Sequence, residues 1–255
     1  MLLAIDAGNT NIVLGLFQGK RLKRTWRVPS TSDALRDVSN KLPSGVESVI
    51  VSSVVPYLKS SFEKLSRRAC GKKALFVSDR LKMPIRVKLP NPRQLGQDRI
   101  VNAVAAYAIH GRRGGVTPPL LVVDFGTATT IDVVTAQGDY IGGTISPGIG
   151  IANAALHDKT ALLPLVPIRK PKRVIGNSTS SAIQSGVFYG YAGLIDGLVR
   201  KIAKELRSRV KVIATGGLST VVGPACETID VIDPDLTLHG LRILFEINQK
   251  TRKLE

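Results

Sequence analysis

The chain has 255 residues, 44% of them apolar, which is enough to bury a core as one large domain or two small ones. Its 36 Lys and Arg stand against 19 Asp and Glu, a formal net charge of +17 that suits polyanionic ligands. No apolar run approaches the roughly 18 residues of a membrane span, so a membrane protein is not expected. The start, MLLAIDAGNT, has no basic leader and is interrupted by Asp6, so no signal peptide is expected. Cys70 and Cys226 have no CxxC or histidine cluster around them, which fits reduced thiols in the cytoplasm. The basic residues are dispersed, with small clusters at Lys20 to Arg27, Arg169 to Arg173 and Lys250 to Lys253. They lack the interleaved aromatics that stack bases, so nucleic acid is not the expected partner.

In chain order, LLAID, IVLGLF and LKRTWRV read as three strands separated by the turns GNTN and QGKR. A Rossmann or P-loop beginning would need a helix directly after the first strand. SVIVSSVVP follows as a buried strand, and a helix is expected over Arg99 to His110. GRRGGVTPP, at 111 to 119, has the Gly/Pro signature of a connector. The opening design then returns as LLVVD, FGTAT, TIDVVT, AQGD and YIGGTIS. Asp6-Ala-Gly8 aligns with Asp124-Phe-Gly126, and Gln18-Gly19 with Gln137-Gly138. KVIATGGLS takes the place that SVIVSSVVP holds in the first copy, and a long helix is expected from Ser181 to about Ser208. Such a repeat implies two α/β domains of one fold, 1–114 and 115–255.

A strand ending in Asp and followed by x-Gly-x-Thr forms a compact phosphate cradle. Glycine lets backbone N–H groups approach an oxyanion, Thr and Asn side chains donate to it, and the Asp can hold Mg²⁺ directly or through water. Asp-x-Gly alone also serves ordinary turns, so the weight lies in its recurrence at Asp6 and Asp124. Two cradles can divide a triphosphate between them. Ala214 to Ser219, ATGGLS, adds a strand end with paired glycines against which a flat nucleoside can lie.

These three motifs resemble the phosphate-1, phosphate-2 and adenosine motifs of the acetate and sugar kinase/heat-shock chaperone/actin superfamily. The finer resemblance is to type III pantothenate kinases. It is carried by SSVVP at 52 to 56, NP-x-x-x-GxDRIVNAVAAY at 91 to 107 and VVDFGTATTIDVV at 122 to 134. GGTISPGIGI at 142 to 151, QSG-x-FYGY-x-GL-x-DGL at 184 to 198, ATGGL and IDPDLTLHGL complete it. The resemblance implies two duplicated ribonuclease-H-like domains with mixed sheets flanked by helices, and a homodimer. It further implies ATP and pantothenate as substrates, with Mg²⁺ and a monovalent cation, K⁺ or NH₄⁺. Asp98 matches the family's catalytic base, and Gly96 and Arg99 beside it match substrate-binding positions. Asp6 would serve Mg²⁺, and Asp124 the metal or the monovalent cation. Gly8, Asn9, Thr10, Asn11, Gly126, Thr127 and Thr129 would line the ATP phosphates, and Gly216 and Gly217 the nucleoside. Gly142, Gly143 and Thr179 match positions near pantothenate, Thr179 across the dimer interface.

The chemistry of the residues agrees. An aliphatic alcohol is too weak an acid to ionise at neutral pH, so a carboxylate apart from the metals can orient it and accept its proton late. Asp98 also precedes IVNAVAAYAI, where it can cap the helix, and the two roles are compatible. The chain departs from the family's pattern at Gln97, where Ala is usual, at Leu89, where an aromatic residue is frequent, and at Asn177, where Arg is common. DFG at 124 to 126 is no protein-kinase signature, since no HRD loop or Gly-rich loop with its lysine strand accompanies it. Two other classes stay open: a kinase or phosphatase of the same superfamily acting on another small molecule, and a non-catalytic regulatory or nucleic-acid-binding relative.

Overall fold

The computed structural model describes residues 1–111 and 118–252. The connector and its 114/115 boundary centre on residues outside that range, as do the side chains of the Lys250 to Lys253 cluster. Two units separate: Met1–Ile109 with the final helix, and His110–Asp235. A division by sequence alone assigns the final helix to the second half; in space it belongs with the first unit.

In the first unit the period-2 pattern forms β1 (Leu2–Ala7), β2 (Asn11–Gln18) and β3 (Arg21–Pro29) as an antiparallel meander. After α1 (Ser32–Asn40), β4 (Ser48–Ser53) returns parallel to β1. Then come α2 (Lys59–Cys70), β5 (Leu75–Phe76), β6 (Arg86–Val87) and α3 (Gln97–His110). The sheet order is β3-β2-β1-β4-β5. Alternation along the strands sends Leu3, Ile5, Ile12, Leu14, Val49 and Val51 to one face, where Leu35 of α1 and Phe62 of α2 meet them. Each such fully buried side chain contributes about 1.5–3 kcal/mol of transfer free energy. The edge strand β3 leaves Arg21, Lys23, Arg24 and Arg27 exposed, and Arg24 lies 4.9 Å over the Trp26 ring. Charge on an edge strand discourages pairing with other chains, which gives this basic cluster a structural role.

The second unit repeats the plan. β7 (Leu120–Phe125), β8 (Ala128–Val134) and β9 (Asp139–Pro147) form the meander. α4 (Ile149–Asp158) and α5 (Thr179–Glu205) follow, and β10 (Lys211–Thr215) returns parallel to β7. Beyond it lie α6 (Ser219–Val222) and β11 (Val231–Ile232), the latter parallel to β10. Val187, Phe188, Tyr191, Ile195 and Val199 of α5 pack on Leu121, Val123, Phe125 and Val212 of the sheet. The final helix, α7 (Leu236–Arg252), returns to the first unit. The expected α3 and α5 both form, each beginning two residues earlier than the pattern predicts.

Candidate active site

In the first unit Asp6 is the penultimate residue of β1, half-buried, opposite Val13 on β2 and Ser52 on β4. The turn after it carries Gly8, Asn9 and Thr10, leading to Asn11 at the start of β2, and Asn9 and Thr10 are exposed. Gly8 N–H donates to the Asn11 carbonyl at 3.0 Å. Ser30 pins the turn from β3's end: its hydroxyl donates to Gly8 O at 2.5 Å and its N–H to Thr10 O at 3.1 Å. The turn is thus held in shape with its tip open to solvent.

Asp98 lies in the first turn of α3, inside the helix rather than at its cap. Gly96 takes the cap position, its carbonyl accepting from Ile100 N–H at 3.2 Å. Asp98 Oδ1 accepts from Arg99 N–H at 2.8 Å, so the carboxylate also serves an N–H of the first turn. A Cβ on Gly96 would fall 2.5 Å from that same Oδ1. Gln97, to which the motif gives no role, has one: its Oε1 accepts from Ser53 N–H at 3.3 Å. Since Ser53 pairs with Ala7, directly after Asp6, this bond ties the start of α3 to the strand ends that carry the cradle.

In the second unit Asp124 is the penultimate residue of β7, opposite Thr130 on β8 and Thr215 on β10. Gly126 and Thr127 form the exposed turn, whereas Thr129 is 2% exposed and lies beneath it. Gly216 directly follows β10 at φ +90°; a Cβ there would meet Asp124 Oδ1 at 2.3 Å and Phe125 N at 2.7 Å. Only glycine satisfies both demands. The ATGG turn is therefore built against the second carboxylate, and Gly217 beside it is exposed. Gly142 and Gly143 sit on β9, opposite Val133 and Asp132. Thr179 is the exposed first residue of α5, whose cap Ser178 accepts from Ser181 N–H at 3.2 Å. These last three residues stand on elements separate from the Asp124 turn.

Ser52 and Thr215 lie in the motifs SSVVP and ATGGLS, but the sequence pattern gave neither a role of its own. Each is fully buried beside the aspartate of its repeat, and neither hydroxyl has a hydrogen-bond partner among the described residues. The available signal was a hydroxyl near the end of an otherwise apolar strand. No three His, Cys, Asp or Glu side chains converge as a metal cage among the described residues. Asp6 and Asp124 each contribute one half-buried carboxylate at an open strand end. That donor set fits Mg²⁺, which keeps waters and phosphate oxygens as its remaining ligands. Away from these positions, burial and the Asp196 carboxylate push the Cys226 thiol up to about 12, so it is inert at neutral pH.

The family model described as type III pantothenate kinase matches residues 2–201. A type III pantothenate kinase of Myxococcus xanthus is 45% identical, covering 97% of this chain and 99% of the relative. One of Moorella thermoacetica is 42% identical, covering 97% and 100%. Among solved structures, a Baf family protein of Campylobacter jejuni superposes with a TM-score of 0.61 at 19% identity, covering 97% of this chain and 99% of that one. A ROK family glucokinase of Streptomyces griseus, solved with glucose and AMPPNP, superposes with a TM-score of 0.54 at 11% identity, covering 98% and 99%. These last two bear on the fold, the ribonuclease-H-like arrangement of two helix-flanked sheets.

Proposed function

The chain belongs to the type III pantothenate kinase family, and on that premise we propose how its residues transfer the γ-phosphate of ATP to the primary hydroxyl of pantothenate. The products are ADP and 4'-phosphopantothenate, the first step of coenzyme A biosynthesis, a cytoplasmic reaction. The observation that carries the assignment of roles is the recurrence of one carboxylate-and-turn cradle in both units, with a further carboxylate, Asp98, standing only in the first.

The duplication is read as residues 1–114 and 115–255, with α7 crossing back to the first unit. Gly8, Asn9, Thr10 and Asn11 are the phosphate-binding residues of the first unit, and Gly126, Thr127 and Thr129 those of the second. Gly216 and Gly217 offer a side-chain-free surface to the nucleoside. Asp6 would hold Mg²⁺, which would neutralise charge on the phosphates, and Asp124 would hold the metal or the monovalent cation, K⁺ or NH₄⁺. Asp98 orients the alcohol and takes its proton as the oxygen–phosphorus bond forms and the bridging bond to ADP breaks. Phosphoryl transfer passes through a loose in-line transition state, so most of the acceleration comes from positioning and charge neutralisation. Arg99, Gly96, Gly142 and Gly143 bind pantothenate, and Leu89 forms part of its wall.

A homodimer is part of the same reading. Ile145, Ile151, Leu162, Val174 and Ile175 are exposed on the second unit, at 48% to 89%. Gly186, Gly190 and Gly193 leave an exposed face of α5 without side chains, which suits close approach of a second copy. Thr179 begins that helix and would reach the partner's pantothenate.

The test is product formation from ATP, Mg²⁺ and pantothenate with K⁺, NH₄⁺ or Na⁺, beside a panel of other small alcohols, with the mass of the particle measured in parallel. The reading expects pantothenate to be preferred, K⁺ or NH₄⁺ to be required, and the particle to be a dimer. Phosphorylation of another alcohol in preference to pantothenate would overturn the substrate assignment.

A further inference from the structure

IDPDLTLHGL, residues 232 to 241, has no role in the chemistry above, yet it begins the helix that crosses back to the first unit. Leu236, Leu238 and Leu241 of this segment are buried. A Cβ on Gly15 of β2 would meet the Leu238 side chain at 2.8 Å, so α7 lies directly on the sheet. Two other residues of the segment grip α3. Thr237 Oγ1 donates to Asn102 Oδ1 at 2.7 Å, and Asn102 is 1% exposed. A Cβ on Gly240 would fall 2.3 Å from the carbonyl oxygen of Val101 and 2.8 Å from its Cγ1. The helices touch backbone to backbone at that point, where no larger residue fits.

Val101 and Asn102 are three and four residues after Asp98, on the same face of α3 one turn along, about 4.5–6 Å further down the axis. The clamp therefore acts on the face of the helix that presents Asp98. At the other end Gln97 bonds to Ser53 of β4. We infer that Thr237 and Gly240 are positioning residues for the phosphoryl acceptor: they set the roll and height of α3 and so the place of the Asp98 carboxylate. This rests on the proposed role of Asp98. A displacement of about 1 Å at a reacting group can cost on the order of a hundredfold in rate. A contact one helical turn away is close enough to cause one.

The test is steady-state kinetics of Thr237→Val, Thr237→Ser and Gly240→Ala, with thermal midpoints and with Asp98→Asn in the same assay. Thr237→Val keeps the side-chain volume and loses the donor, while Thr237→Ser keeps the donor. Positioning predicts that Thr237→Val and Gly240→Ala lower kcat with pantothenate about tenfold or more, that KM for ATP stays within about twofold, and that Thr237→Ser retains most of the rate. If Gly240→Ala does not fold, the valine and serine pair decides alone. Wild-type kcat in Thr237→Val, or a serine variant as slow as the valine one, overturns the inference and leaves the Asp98 assignment intact. Undiminished activity in Asp98→Asn overturns that assignment and this inference with it.

Discussion

The two Asp-x-Gly turns are alike in the strands that carry them, and they differ in what surrounds them. β1 and β7 share one burial profile: four buried residues, a half-buried aspartate, then a buried residue. The first seven residues of β2 match those of β8 in the same way. Each aspartate has a fully buried hydroxyl residue across the parallel ladder, Ser52 or Thr215. The difference begins one residue later. β4 ends on Ser53, whose N–H anchors Gln97 and the helix of Asp98. After β10 the chain turns at Gly216 against Asp124. A duplicated scaffold thus repeats the parts that both halves need and specialises the strand end that follows. On the proposed roles, the first end would support a carboxylate for the acceptor, and the second a bare surface for the nucleoside.

The sharpest way to break this comparison is to remove what is unique to one side. Asp98→Asn is expected to lower kcat about 10²–10⁴-fold, the usual worth of a general base, measured by product formation under saturating substrates. Removing what is shared should instead affect both halves alike. Asp6→Asn and Asp124→Asn are each expected to lower activity roughly a hundredfold, by analogy with loss of an electrostatic group at the transition state, and to raise the Mg²⁺ concentration needed for half-maximal rate. An effect at one aspartate alone would show that the copies have diverged in metal binding.

Gly216→Ala should come next, raising KM for ATP about tenfold or more, because the new methyl both strains the backbone at φ +90° and meets Asp124; its KM for pantothenate should change little. Gly96→Ala is the counterpart on the first side. Its one close contact would be the Asp98 carboxylate, so kcat should fall several-fold, on the order of tenfold, with almost no change in melting temperature. The smallest effect lies outside the site. The folded Cys226 thiol titrates at about 12 against an ordinary 9.0, so the folded chain holds that proton when the unfolded chain has lost it. Stability is present in full below about pH 9 and declines as pH rises toward the folded value. Cys226→Ala should flatten that decline in denaturant midpoints measured from neutral to alkaline pH.

Much of this was legible in the residues. Period-2 alternation, turn glycines and the repeat of Asp-x-Gly located both meanders and their parallel return strands, because each signal is local. α1, α2 and α4 were not singled out: their apolar residues are few or unpatterned, and the cap of α1, Thr31 bonded to Ala34 N–H, shows itself only in the structure. The Gln97–Ser53 and Asn102–Thr237 bonds join residues 44 and 135 positions apart, a separation at which composition and periodicity carry no information. For the same reason the return of α7 to the first unit could not be read from its place at the end of the chain. Asp98 was legible as a carboxylate at a helix start, but the glycine that leaves room for it became visible only with the side chains in place.

The most direct test of the division of labour is to measure Mg-ATP binding and pantothenate phosphorylation on the same preparation of Asp98→Asn. If the cradles hold the nucleotide and Asp98 serves only the acceptor alcohol, the variant binds Mg-ATP within about twofold of the wild type while product formation falls at least about a hundredfold. Phosphorylation at the wild-type rate, or loss of nucleotide binding together with activity, would contradict it.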